Sequence, residues 1–177
     1  MLEWSQGVHA DTLSAGLLIG RLVVGLGMAA HGSQKLFGWF GGKGLAGTGG
    51  YFESLGFRPG RLFAVLAGLG ELTSGWLVAL GFLGPVGPAL MMAVMIVAGA
   101  QSWTKGFFAM NGGIELPLLY ASAALALSFI GPGRFSLDAA LGIAPWSNLK
   151  LVAFAVVVAV VGAVGSLAVR QPAPTAR

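Results

Sequence analysis

The hydrophobic pattern divides the chain into five long apolar segments separated by short stretches rich in glycine, proline and charged residues. Their approximate bounds are Leu13–Phe37, Arg61–Leu83, Val86–Trp103, Ile114–Ile130 and Leu149–Val169. A helix needs about 20 apolar residues to cross a bilayer, and open strands cannot satisfy their backbone groups in lipid. The pattern therefore predicts an all-α, polytopic membrane protein with five crossings, the third and fourth of which are short.

The connections between these segments predict how the chain is organised. The tight turn Gly84–Pro88 should make segments two and three an antiparallel hairpin. The glycine-rich loop 38–60 carries Tyr51 and Phe52, which favour a short helix on the membrane surface or at the mouth of the bundle. We divide the chain into an N-terminal extracytoplasmic segment 1–12, a four-helix domain 13–140, an additional transmembrane helix 149–170 and a disordered tail 171–177.

Composition and charge support a membrane location. Only 9% of the residues are charged and 56% are hydrophobic, whereas soluble domains carry about 25% charged residues. The net charge of +4 is not gathered into a basic run, so nucleic-acid binding is not expected. Basic residues near the segment ends number seven on one side and two on the other. The positive-inside rule then places the loop 38–60 and the C-terminus in the cytoplasm, and the N-terminus outside.

The chain contains no cysteine. Disulfides, thiolate catalysis, iron–sulfur ligation and cysteine–zinc sites are therefore excluded. Haem held by two histidines is not expected, because His31 is the only histidine in a spanning segment and His9 lies towards the opposite side. No metal site is predicted, and any redox role needs a bound organic cofactor or a partner protein.

Ionisable residues in the first two segments form a candidate cluster. Arg21, His31 and Lys35 share one face of the first helix at about 100° per residue. Glu71 shares a face of the second helix with small residues, namely Ala64, Gly68 and Gly75. Such costly side chains usually face other protein and often mark function. Counting the helical rise from the cytoplasmic ends predicts an ion pair between Arg21 and Glu71, which could serve a site or simply fix the helix register.

A second prediction is a pocket at the cytoplasmic boundary. Its lining residues would be His31, Lys35, Gln101, Trp103, Asn111 and Glu115. Structural alternatives stay open. Lys35 could extend to the lipid headgroups, and His31 could pack between helices. Glu115 could interact with the positive end of the dipole of its helix. Their joint presence in apolar segments favours a ligand site.

The last segment carries small residues at helical spacing, at Ala155, Ala159 and Ala163 and at Gly162 and Ser166. Small residues allow close helix contact in lipid. This helix is either a plain anchor or a docking face for a partner helix.

Short motifs connect the chain to a known family. They are Arg21, His31-Gly32, Lys35-Leu36-Phe37-Gly38, Tyr51-Phe52, Leu55-Gly56, Pro59-Gly60, Gly68 to Glu71, Leu80-Gly81, Asn111, Glu115 and Gly131 to Asp138. Over residues 13–140 the chain resembles the DoxX-like membrane proteins. The resemblance implies a four-helix membrane bundle, to which the last helix is an addition, in the cytoplasmic membrane of a prokaryote. One branch resembles the membrane subunit of a thiosulfate:quinone oxidoreductase, so a quinone- or redox-linked subunit is implied.

Two hypotheses follow. In a quinone-linked subunit, His31 would bind a quinone carbonyl and exchange its proton, and Glu71 or Glu115 would relay that proton. The candidate substrate-binding residues are Lys35, Arg21, Gln101, Trp103 and Asn111, with Trp103 packing on the ring. Alternatively, the protein is a non-catalytic structural subunit of a larger membrane complex, and its polar core only locks the bundle. A small-anion transporter is a third reading.

Overall fold

The computed structural model describes residues 2–143 and 148–171, and every regular element in these ranges is helical. The helices are α1 (Leu2–Phe37), α2 (Gly44–Ser54), α3 (Gly60–Leu80), α4 (Val86–Ser102), α5 (Glu115–Ile130), α6 (Leu137–Ala140) and α7 (Leu149–Ala168). Four helical stretches are long and apolar enough to cross a bilayer: Ala10–Phe37, Gly60–Leu80, Val86–Lys105 and Leu149–Ala168. The apolar helix α5 is shorter, at 16 residues. The predicted all-α, polytopic membrane fold is confirmed.

Two boundaries differ from the sequence-based expectation. Helix α1 begins at Leu2 and not near Leu13, because the polar residues before Leu13 continue the helix although they end the apolar pattern. Of the tail 171–177, which was expected to be disordered, only Gln171 is described, and its backbone N–H donates to the Gly56 carbonyl at 2.8 Å. The rest of that tail lies outside the described residues. The loop 38–60 contains a helix, α2, as expected.

Helices α1 and α3 are in direct backbone contact, and this contact sets their register. A Cβ atom on Gly25 would lie 2.5 Å from the Gly75 carbonyl oxygen, and one on Gly32 would lie 2.7 Å from the Gly68 carbonyl oxygen. The helices are therefore antiparallel and meet through glycine. Gly68 is about 12 Å along α3 from its first residue, Gly60. Helix α1 runs five residues beyond Gly32, so it ends about 7.5 Å inside the start of α3. Helix α2 packs against both helices.

Contacts between connections hold the two ends of the bundle. We call them the α2 end and the α6 end. At the α2 end, Arg170 Nε donates to the Leu55 carbonyl at 2.5 Å, which ties the end of α7 to the end of α2. At the α6 end, Arg134 Nη1 donates to Asp11 Oδ1 at 2.5 Å, which joins the loop after α5 to α1. This arrangement matches five crossings, with α2 and the end of α7 at the same end.

Helix α4 lies at the centre of the packing and contacts α3, α5 and α7. The buried core combines Met28 with Val78, Ala89, Met91, Met92, Met95, Ala124 and Ala159. Methionine suits such a core because its unbranched side chain fills irregular gaps. Ala159 and Ala163 of α7 are buried, and α7 packs chiefly on α4. The row of alanines on α7 therefore makes a contact within this chain, whereas Gly162 is exposed.

Candidate functional site

An ion pair between α1 and α3 forms the centre of the site. Lys35 Nζ donates to both carboxylate oxygens of Glu71, and the Glu71 side chain is 2% exposed, against 28% for Lys35. Glu71 is 11 residues along α3 from its start, so the pair lies about 16 Å from that helix end. This depth is near the middle of the helix. A charge buried there is tolerated only when it is paired and hydrogen-bonded.

The predicted pair between Arg21 and Glu71 is wrong. The prediction placed Lys35 level with Arg61, but Gly32 lies between Gly68 and Leu72, which shifts α1 about 9 Å along α3 from the predicted register. This offset brings Lys35 to Glu71 and moves Arg21 to the other end of the bundle. There Nη2 of Arg21 donates to the Phe135 carbonyl.

His31 and Tyr120 lie beside the ion pair. Their rings meet edge to face, with centroids 5.9 Å apart and planes at 89°. Both residues interact electrostatically with the Glu71 carboxylate. A Cβ atom on Gly27 would lie 2.5 Å from the Tyr120 hydroxyl, so this glycine makes room for the tyrosine. We call Lys35, Glu71, His31 and Tyr120 the central cluster.

Tyr120 is absent from the sequence-based site. The chain has two tyrosines, and Tyr120 is the one inside an apolar helix. A tyrosine hydroxyl in a membrane helix needs a polar neighbour, and that argument could have singled out Tyr120. The polar neighbour of Tyr120 could not be identified from the sequence, because periodicity within α5 does not say which side chains of α1 lie next to Tyr120.

The other predicted pocket residues lie nearer the α2 end. Glu115 is the first residue of α5, and its Oε2 accepts from the Ala109 N–H at 2.8 Å, closing the loop between α4 and α5. Trp103 is 71% exposed and Asn111 is also exposed. Gln101 has a buried Nε2 without a partner. Within the described residues, we find no hydrogen bond, ion pair or ring contact that joins these four side chains to the central cluster.

The single pocket that the sequence predicts is therefore divided in two by the structure. His31 and Lys35 lie deep beside Glu71, because α1 ends inside the length of α3. Gln101, Trp103, Asn111 and Glu115 lie in or next to the loop between α4 and α5. Tyr120 follows Glu115 by five residues, which is about 7.5 Å along α5.

Arg21 belongs to a second polar cluster at the α6 end. Arg21 and Asp138 are each 2% exposed and interact electrostatically. The Asp138 carboxylate accepts from the Leu83 N–H at 2.9 Å and from the Gly84 N–H at 2.7 Å, which closes the turn between α3 and α4. Gly81 has a φ of 64°, which favours glycine, and a Cβ atom there would overlap Nη1 of Arg21. This cluster fastens the loop after α5 to the hairpin.

Comparisons with known proteins agree with the fold. The sequence model of the DoxX family matches residues 16–103. The chain is 31% identical, over 147 residues, to an uncharacterized membrane protein of Mycobacterium tuberculosis, covering 77% of this chain and 86% of that relative. No solved structure matches the chain at a significant level.

Proposed function

Because this chain belongs to the DoxX family of membrane proteins, we propose that it is a quinone-linked subunit of a membrane oxidoreductase. The quinone would bind at the central cluster. The observation that supports this most directly is the deep ion pair of Lys35 and Glu71 with His31 and Tyr120 beside it. Sites between the helices of a bundle suit an apolar ring that makes a few polar contacts.

The four side chains have complementary roles in this proposal. A bound quinone supplies two carbonyl groups that accept hydrogen bonds and, in the reaction, electrons and protons. His31 donates to one carbonyl oxygen, since imidazole can both give and take a proton. The Tyr120 ring fixes the orientation of His31. Glu71 exchanges the proton with His31, and Lys35 holds the Glu71 carboxylate in place.

The electrons in this proposal come from a redox centre on a partner protein, since this chain has no cysteine for an iron–sulfur cluster or a dithiol couple. The ligand enters from the lipid, between α1 and α5. These two helices approach each other less closely than α1 and α3 or α4 and α5 do. His31 and Tyr120 are half-buried at this opening.

We also propose that the protein lies in the cytoplasmic membrane of a prokaryote with its α2 end in the cytoplasm. Five exposed basic residues lie at the α2 end, namely Lys43, Arg58, Arg61, Lys105 and Arg170. The exposed basic residues described at the α6 end are Arg134 and Lys150. Such a difference orients the chain by the positive-inside rule.

Mass spectrometry of protein extracted gently from its native membrane tests the quinone site. We expect a quinone at about one per chain in the wild type, and its loss in His31→Ala. Gln101→Ala is a matched control, because Gln101 is another half-buried polar residue but lies outside the central cluster. Loss of quinone from both variants, or its absence from folded wild type, would contradict the proposal.

One observation favours a second candidate, a non-catalytic structural subunit. Both Glu71 oxygens are already bound to Lys35, so the pair can serve as a lock between α1 and α3. In that case α7, whose outer face is exposed, would hold other subunits. Deleting residues 149–177 should then release those subunits from the native complex, whereas retention of every partner would count against this candidate.

A further inference from the structure

Three exposed basic residues lie near the end of α2. Lys105 Nζ lies 5.9 Å from the centroid of the Tyr51 ring, and Arg170 Nε donates to the Leu55 carbonyl at 2.5 Å. Tyr51 and Leu55 are one helical turn apart, so Lys105 and Arg170 flank the same turn. Arg58 follows shortly after, and all three basic residues are exposed. We call Arg58, Lys105 and Arg170 the α2 basic patch.

The carboxylates near this patch are turned towards backbone groups. Glu53 Oε1 accepts from the Gly60 N–H at 3.2 Å, at the start of α3. Glu115 Oε2 accepts from the Ala109 N–H at 2.8 Å. Neither ion pair found within the described residues includes a residue of the patch. The patch therefore presents positive charge that an external anion can approach.

Exposed aromatic side chains lie at the same level as the patch. Trp103, Phe107 and Phe108 are 71%, 50% and 60% exposed and bracket Lys105 in the loop between α4 and α5. In membrane proteins such rings collect at the headgroup level of the bilayer. The basic side chains are therefore at the depth of the lipid phosphates.

We propose that the α2 basic patch binds the phosphate of an anionic phospholipid headgroup. Basic side chains next to an anionic membrane surface strengthen binding by about fivefold each. Arginine also holds phosphate oxygens through two parallel hydrogen bonds. The aromatic residues around Lys105 favour a lipid over an acidic protein, because they place the patch at the lipid–water boundary.

The experiment is native mass spectrometry and thermal unfolding of the full chain in detergent. Phosphatidylglycerol and phosphatidylcholine with identical acyl chains are the probes. We expect phosphatidylglycerol to bind preferentially and to raise the unfolding temperature, with an effect that declines as salt increases. Lys105→Gln and Arg58→Gln should each weaken binding about fivefold. Lys150→Gln is the matched control, because Lys150 is an exposed lysine at the α6 end.

Several outcomes would overturn the proposal. One is equal binding of the two lipids, and another is equal loss of binding in Lys105→Gln and Lys150→Gln. A third is an acidic partner protein that the patch variants lose while their binding of phosphatidylglycerol is unchanged. Unfolding temperatures without lipid are measured for each variant, so that a loss of binding is separated from a loss of folding. None of these results depends on the quinone site.

Discussion

At the scale of single residues, three charged side chains in apolar helices define the two polar clusters: Lys35 and Glu71 the central one, and Arg21 the one at the α6 end. The sequence predicts that they face the bundle, and their burial confirms this. The sequence nevertheless predicts the wrong ion pair. Periodicity gives only the side of its own helix on which a residue lies and its position along that helix. The partner depends on the offset between two helices. That offset is set by the close contacts of Gly25 and Gly32 with α3.

The Lys35–Glu71 pair gives the first prediction. Lys35→Met leaves the Glu71 carboxylate buried without a partner, which should lower the free energy of unfolding by about 3–5 kcal/mol. The double variant with Glu71→Leu should regain most of this loss, because no charge is then left unpaired. Unfolding in mixed micelles measures the free energy of unfolding of the single and the double variant. Equal stability of the single and double variants would show that the pairing does not matter.

Asp138 gives a second prediction at this scale. Its carboxylate accepts two backbone N–H groups in the turn between α3 and α4 and faces the buried Arg21. Asp138→Ala should lower the free energy of unfolding by about 1–3 kcal/mol for each donor left unsatisfied. Asp11→Ala is the control, because its pair with Arg134 is exposed and should contribute about 1 kcal/mol or less. Similar unfolding free energies for the two variants would contradict this role of Asp138.

At the scale of elements, the apolar pattern predicted the four long helices and the shorter α5, because their hydrophobic runs end at glycine, proline or charged residues. The start of α1 was missed, since a helix that continues beyond the apolar run has no hydrophobic signal. The offset of α1 against α3 was also missed. The small residues on both helices indicate a close contact, but they allow several registers.

The glycine contact between α1 and α3 gives a third prediction. Gly32→Ala would place a methyl group 2.7 Å from the Gly68 carbonyl oxygen. Because this contact forces the two helices apart, the free energy of unfolding should fall by about 1–3 kcal/mol. Gly20→Ala on the same helix is the control, because nothing lies within 4 Å of its added Cβ. That variant should be neutral or slightly stabilising. Thermal unfolding of both variants in one detergent compares them, and a neutral Gly32→Ala would argue against this register.

At the scale of the whole molecule, the alternating directions of α1, α3, α4, α5 and α7 place α2 and the end of α7 at one end and α6 at the other. The natural absence of cysteine allows each end to be labelled through one introduced thiol. Thr104→Cys lies at the α2 end and Ala140→Cys lies in α6, and both positions are exposed. Neither substitution changes a charge, so the orientation signal is preserved.

With the α2 end in the cytoplasm, a membrane-impermeant maleimide should label Ala140→Cys in intact cells. It should label Thr104→Cys only after the membrane is opened. The opposite pattern would reverse the proposed orientation, and labelling of both thiols in intact cells would contradict five crossings.

A photoreactive quinone added to membranes tests most directly whether a quinone binds beside His31 and Tyr120. Peptide mapping should find the label on α1 around His31 and on α5 around Tyr120, and excess unlabelled quinone should compete it away. Glu71→Gln should lose this labelling, while Glu115→Gln, which changes a carboxylate outside the central cluster, should keep it. Label confined to other helices, or unaffected by Glu71→Gln, would contradict the account.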